Sequence, residues 1–176
     1  MSDRAWRRRS LPSKAVGATR VGFWRPVTPA QVTAARLQLG AVLHDGARPP
    51  DVAEEGVQRL LLVFEELVSN AVRHGRHPVD VEITDSGHSW LLEVRDAAGD
   101  RPPTPDVGRD AALGGLGLPL VAQICSSNGW TTVEGRKIVW AAVDHAPSNH
   151  PGEAPAPLSG PRAGATTAGS GRDREI

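Results

Sequence analysis

The sequence predicts a two-layer α+β sandwich: a mixed, mostly antiparallel sheet with about three helices on one face. Three observations predict it. Two segments in the first half place apolar residues at helical spacing, and two pairs of later segments alternate as short strands around turn residues. The helices are also too few to cover both faces of a sheet.

Composition sets the limits. The chain has 176 residues, 39% hydrophobic and 23% charged, the ordinary usage of one globular domain. The folded part is expected over residues 21–143. Residues 1–20 read as a basic arm without structure, and residues 144–176 as a Pro-, Gly-, Ala- and Ser-rich tail without structure. The formal charge of zero hides an asymmetry. Residues 1–25 carry seven basic side chains against Asp3 alone, whereas residues 26–150 carry 10 basic and 16 acidic ones. Such an arm either binds nucleic acid or stays solvated, and the solvated state is expected here. Cys125 is the only cysteine, so no intramolecular disulfide forms. No apolar run reaches the roughly 18 residues of a membrane span. The arginine-rich start also lacks the apolar stretch of a secretory signal, so a cytoplasmic location is expected.

The elements follow in order. Residues 22–27, "GFWRPV", suit a short edge strand, because Pro26 is tolerated only at an edge. Thr28 as N-cap, Pro29 at the first helical position and Gln31 as capping-box partner open a first helix, with Val32, Ala35, Leu39 and Val42–Leu43 on its apolar stripe. "GARPP" at 46–50 ends it. A second helix is predicted from Asp51, with Glu54 as its capping-box partner, to His74. Its buried face is Val57, Leu60, Leu61, Phe64, Leu67, Val68 and Ala71, and Gly75 stops it. Residues 79–84 and 90–96 form a hairpin around "DSGH". Residues 97–113 hold three prolines and no periodicity, the mark of a functional lid or an unstructured loop. Residues 114–127 read as a glycine-rich turn opening a short helix, broken by Asn128-Gly129. Residues 130–143 form a second hairpin around Glu134-Gly135.

Three places carry chemistry. Glu66, Asn70 and His74 recur every four residues and share one helix stripe. A carboxylate can take a proton from an attacking hydroxyl, and a carboxamide oxygen one turn away suits Mg²⁺, which keeps waters and phosphates as its other ligands. The same residues on a plain solvated helix face need no such role. Gly114, Gly115, Leu116, Gly117 and Leu118 precede a helix, where backbone N–H groups approach an anion, or else simply turn the chain. This run is neither a dinucleotide fingerprint nor a P-loop. Asp96 ends an apolar strand with Gly99 close behind. Its carboxylate can accept from an exocyclic amine such as that of adenine, or merely mark a strand end. Cys125 reads as an inert buried thiol, Trp90, Trp130 and Trp140 as packing, and His145 as incidental.

In chain order, "EELVSNAVRHG" (65–75), "VRDAAGD" (94–100), "GGLGLPLV" (114–121) and "GRKIVW" (135–140) resemble the four nucleotide-binding boxes of the GHKL ATPase superfamily. The stand-alone branch of anti-sigma-factor serine/threonine kinases and related small bacterial ATP-binding regulators is the most similar. The resemblance covers residues 26–143 and implies a Bergerat-type ATP-binding fold with ATP and Mg²⁺ as its ligands. It implies Glu66 as general base and Asn70 as Mg²⁺ ligand. Asp96 would read the adenine amine, with Gly99 beside it, and the backbone of Gly114, Gly115, Leu116, Gly117 and Leu118 would bind phosphate. The loop 97–113 would be the lid, with Arg101 or Arg109 reaching the γ-phosphate. The implied partners are a sigma factor and a phosphorylatable antagonist protein, and relatives often form homodimers. Two departures stand out: Asp96-Ala97-Ala98-Gly99-Asp100 lacks the usual glycine spacing, and Ile138 stands where many relatives carry threonine near adenine. The activity expected is protein serine/threonine kinase. The alternative is a regulator that sequesters its partner and binds nucleotide weakly or not at all.

Overall fold

The computed structural model describes residues 6–103 and 117–146. Its element order is β1 (Thr19–Trp24), α1 (Pro29–Val42), α2 (Glu54–His74), β2 (Asp80–Asp85), β3 (Ser89–Asp96), α3 (Gly117–Ile124), β4 (Ser127–Val133) and β5 (Arg136–Asp144). The five strands form one sheet in the order β1-β2-β3-β5-β4. Every neighbouring pair is antiparallel, so the mixed sheet expected from sequence is antiparallel throughout its named strands.

The helix starts show which local signals decide. At α1 the Thr28 hydroxyl accepts from the Gln31 N–H, as its spacing predicts. The Gln31 amide oxygen reaches back one residue further, accepting from the Val27 N–H at 2.6 Å. A wide π-type turn over Leu43–Ala47 closes the helix. α2 begins at Glu54 rather than Asp51, with Ala53 at its cap and no side-chain cap bond. Arg48 and Gln58 bind the Glu54 carboxylate at 2.9 and 2.8 Å, so it closes no box with Asp51. Val52 meanwhile turns into the core.

The sheet's two faces follow from period-two alternation. Val81, Ile83, Trp90, Leu92, Val94, Val139, Ala141 and Val143 face the helices. They meet Val57, Leu60, Phe64, Leu67 and Val68 of α2 in one core. Trp24 of β1 packs edge-on against Phe64, with ring centroids 5.3 Å apart. The opposite face presents Leu91, Glu93, Ile138 and Trp140, and all four are buried.

The described part of the N-terminal arm, residues 6–20, supplies part of that cover, where the sequence suggests an unstructured segment; residues 1–5 lie outside the described residues. Arg8 bridges Trp130 in parallel beside β4. The Arg9 N–H donates to the Trp130 carbonyl at 2.9 Å, and the Trp130 N–H donates to the Arg7 carbonyl at 3.1 Å. Lys14 then lies across the sheet, 2.9 Å from Glu82 and 3.3 Å from fully buried Glu93. A sheet face with apolar side chains and a buried carboxylate needs both apolar cover and a countercharge, and the arm brings them together. Asn128-Gly129, expected as a break, lies inside β4. A side chain at Gly129 would stand 2.9 Å from Arg9 Cβ and from the Trp140 ring, so glycine makes room for the arm. At the other end the domain continues past residue 143. His145 is buried, its ring packs tilted against Trp90 with centroids 4.4 Å apart, and its backbone N–H donates to the His88 carbonyl. It is a packing residue and not incidental. Residues 147–176 of the expected tail lie outside the described residues. Among those described, no helix is long and apolar enough to cross a membrane.

Candidate functional site

The amphipathic pattern of α2 buries one stripe and leaves Glu66, Asn70 and His74 along its margin. Glu66 and Asn70 are half-buried, and His74 is exposed. Burial holds the Glu66 carboxyl above the usual range, adjacent Glu65 adds to the rise, and Arg73 opposes it. α3 starts directly against this group: a Cβ built on Gly117 would sit 3.5 Å from Glu66 Oε2. The opening turn of α3, whose amides favour an anion, therefore meets the carboxylate of α2. Leu118 turns its side chain into the core. Gly114, Gly115 and Leu116 lie outside the described residues, as does Arg109. Arg101 is exposed, and its N–H donates to the Ala98 carbonyl.

Asp96 ends β3 with its side chain fully buried. Its Oδ1 accepts from the Ala98 N–H at 2.7 Å. Two backbone contacts tie this end of β3 to the end of α2. The Ala97 N–H donates to the Arg76 carbonyl at 2.8 Å, and Gly75 approaches so closely that a Cβ there would stand 2.8 Å from Asp96 Oδ2. Gly75 thus does more than stop a helix, because its missing side chain leaves room for the Asp96 carboxylate at the end of α2. Gly99 has a different task. A Cβ on it would overlap the Gly135 carbonyl oxygen, and its own carbonyl accepts from Thr132 Oγ1 at 3.1 Å. It packs the loop onto the β4–β5 turn.

Two residues of the site were missed by sequence reasoning. The first is Lys137, whose side chain is 6% exposed and whose Nζ lies 3.1 Å from Asp96 Oδ2. Register explains the miss. β5 places Lys137 opposite Asp96 on the helix-facing side, whereas Ile138 pairs with Arg95 and points to the other face. The residue beside Asp96 is therefore Lys137, and the expectation that set Ile138 there is corrected. The one available signal was two-residue periodicity counted back from Val139. The second is Trp6, whose indole N–H donates to the Leu118 carbonyl at 2.9 Å and fastens the arm to the first turn of α3. Nothing local in the sequence announces that contact.

The donor set fits a magnesium nucleotide. Among the described residues no cluster of three or more His, Cys, Asp or Glu exists that would hold a metal ion by itself. Asn70 offers one neutral oxygen, which suits an ion that takes its other ligands from phosphates and water. Asp96 Oδ2 is buried without a hydrogen bond, which suits an amine donor. Cys125 is buried, as expected, and its Sγ accepts from Asn128 Nδ2 at 3.4 Å.

An antiparallel five-stranded sheet backed by three helices is the α+β sandwich of the GHKL ATPases. Within that class the chain belongs to the histidine kinase-like ATPase domain family, whose model matches residues 25–161. Domains of this kind bind ATP with Mg²⁺. A comparison with curated proteins gives no match.

Proposed function

We propose that the protein is an ATP-dependent serine/threonine kinase of the anti-sigma-factor type, which transfers the γ-phosphoryl group to a hydroxyl of a partner protein. The observation that carries this reading is the half-buried Glu66 carboxylate, set against the opening turn of α3. A proton acceptor and an anion-favouring helix start then share one place. ATP held with Mg²⁺ supplies the transferable phosphoryl group. Glu66 takes the proton of the attacking hydroxyl, and its raised pKa makes the carboxylate a stronger base once ionised. Asn70 offers the metal its carboxamide oxygen. Asp96 accepts from the base amine and fixes the nucleotide's orientation. Phosphoryl transfer asks chiefly for positioning and charge neutralisation, so this sparse set suffices. The partners are a sigma factor and an antagonist protein bearing the acceptor hydroxyl, in the cytoplasm. Incubation with radiolabelled ATP and candidate antagonists, comparing wild type with Glu66→Gln, tests it. Label on a serine or threonine that falls by two or more orders of magnitude in the variant supports the assignment, whereas equal labelling removes Glu66 from the role.

One observation favours a second reading, a partner-sequestering regulator without turnover. Gly99, the glycine nearest Asp96 on its loop, is used in packing against Gly135 and is displaced from the spacing the resemblance implies for nucleotide binding. Nucleotide binding with no phosphate release or transfer, whatever the partner, is the result that selects this reading.

A further inference from the structure

Lys137 and Asp96 form an unusual buried pair. Both side chains are more than nine-tenths buried, and Nζ to Oδ2 is 3.1 Å. Yet Oδ2 has no hydrogen-bond partner among the described residues. An ammonium carries three donors, more than one carboxylate oxygen takes up. A buried ion pair whose carboxylate keeps an unsatisfied acceptor is costly by itself, and it is favoured when a third group completes the bonding. The pair lies on the helix-facing side where β3 and β5 meet, with Asp96 against Gly75 at the end of α2. Adenine presents two neighbouring polar atoms on one edge: the exocyclic amine, a donor, and ring nitrogen N1, an acceptor. Asp96 and Lys137 present the complementary acceptor and donor.

We propose that Lys137 is a base-reading residue, which donates a hydrogen bond to N1 of adenine while Asp96 accepts from the neighbouring amine. The inference rests on the ATP-binding reading above and deepens it, because recognition of adenine then depends on two side chains that act as one unit. A neutral residue at position 137 would leave N1 unread. A lysine kept only to neutralise Asp96 would affect every nucleotide alike.

The test is a competition titration of the full chain with ATP, 1-deaza-ATP (N1 replaced by C–H, the amine retained) and 7-deaza-ATP as a control altered on another edge. A hydrogen bond from a charged donor is worth roughly 10- to 100-fold in affinity. Wild type is expected to bind 1-deaza-ATP weaker than ATP by about that factor, and 7-deaza-ATP nearly as well as ATP. In Lys137→Met the preference for ATP over 1-deaza-ATP is expected to vanish. If that variant fails to fold, the wild-type ratio decides alone. Equal wild-type affinity for ATP and 1-deaza-ATP overturns the assignment of Lys137 and leaves the ATP-binding reading standing. So does a variant that weakens both nucleotides by the same factor. Absence of any binding of ATP overturns both.

Discussion

Replacing Lys137 by methionine removes the only cation within 4 Å of the Asp96 carboxylate among the described residues and keeps a side chain of similar length and volume. Asp96 is fully buried, so its charge would then lack a counterion and most of its hydration. Breaking one side of such a pair costs about 3–5 kcal/mol. The Ala98 N–H still donates to Oδ1 at 2.7 Å, which retains part of the compensation and places the expected loss near the lower end, about 3 kcal/mol. For a domain of this size each kcal/mol moves Tm by roughly 2–8 °C, so thermal unfolding of Lys137→Met should come at least about 6 °C early. The converse change, Asp96→Asn, strands the ammonium and should cost a similar amount. The double variant Asp96→Asn/Lys137→Met leaves no charge to compensate and should recover to within about 1 kcal/mol of wild type. Urea unfolding of all four proteins gives the coupling energy. A single-variant loss below about 0.5 kcal/mol, or a double variant whose losses simply add, would refute the claim that these two charges hold each other inside the fold.

Three further outcomes follow from other contacts. Gly75→Ala puts a Cβ 2.5 Å from the Ala71 carbonyl oxygen and 2.8 Å from Asp96 Oδ2; chemical denaturation should show a loss of about 1–3 kcal/mol, and ATP affinity should fall with it because Asp96 is displaced. Burial raises the Glu66 pKa above its unfolded value, so its contribution to stability is fully present below the unfolded pKa and is lost as pH rises through the folded pKa. Glu66→Gln should therefore be more stable than wild type at pH 7 in thermal melts, and the difference should close on acidification below about pH 4; a gain that persists or grows in acid contradicts the burial argument. Trp6→Phe keeps an aromatic ring but loses the donor to Leu118; it should cost about 1 kcal/mol and speed amide exchange in the first turn of α3. Unchanged exchange there would show that the arm does not hold that helix.

The parts legible in the sequence were those set by local periodicity and short-range chemistry. The α2 stripe, with its polar margin at Glu66 and Asn70, follows from spacing of 3.6 residues per turn, and Thr28-Pro29 marks a helix start within four residues of chain. The alternation of β2 and β3 likewise sorts Val81, Ile83, Leu92 and Val94 onto one face. What stayed hidden depends on partners distant in the chain. Glu54 looked like a capping residue for Asp51 until Arg48 and Gln58 claimed its carboxylate. The arm looked solvated because its composition is basic; its order comes from the β4 edge and from Glu93, some 80 residues further on. Lys137 and Ile138 were exchanged because a strand's faces differ by a single residue, and only the pairing with Asp96 and Arg95 fixes which one looks inward.

Whether Asn70 and the start of α3 hold one magnesium nucleotide is decided by calorimetric titration of the full chain with ATP, run with and without Mg²⁺ and repeated on Asn70→Ala. Saturable one-to-one binding is expected, weakened at least about tenfold, or roughly 1.4 kcal/mol, when either Mg²⁺ or the Asn70 carboxamide is withdrawn. Wild-type protein that gives no saturable heat, or an Asn70→Ala variant that binds Mg-ATP as tightly as wild type, would contradict this reading.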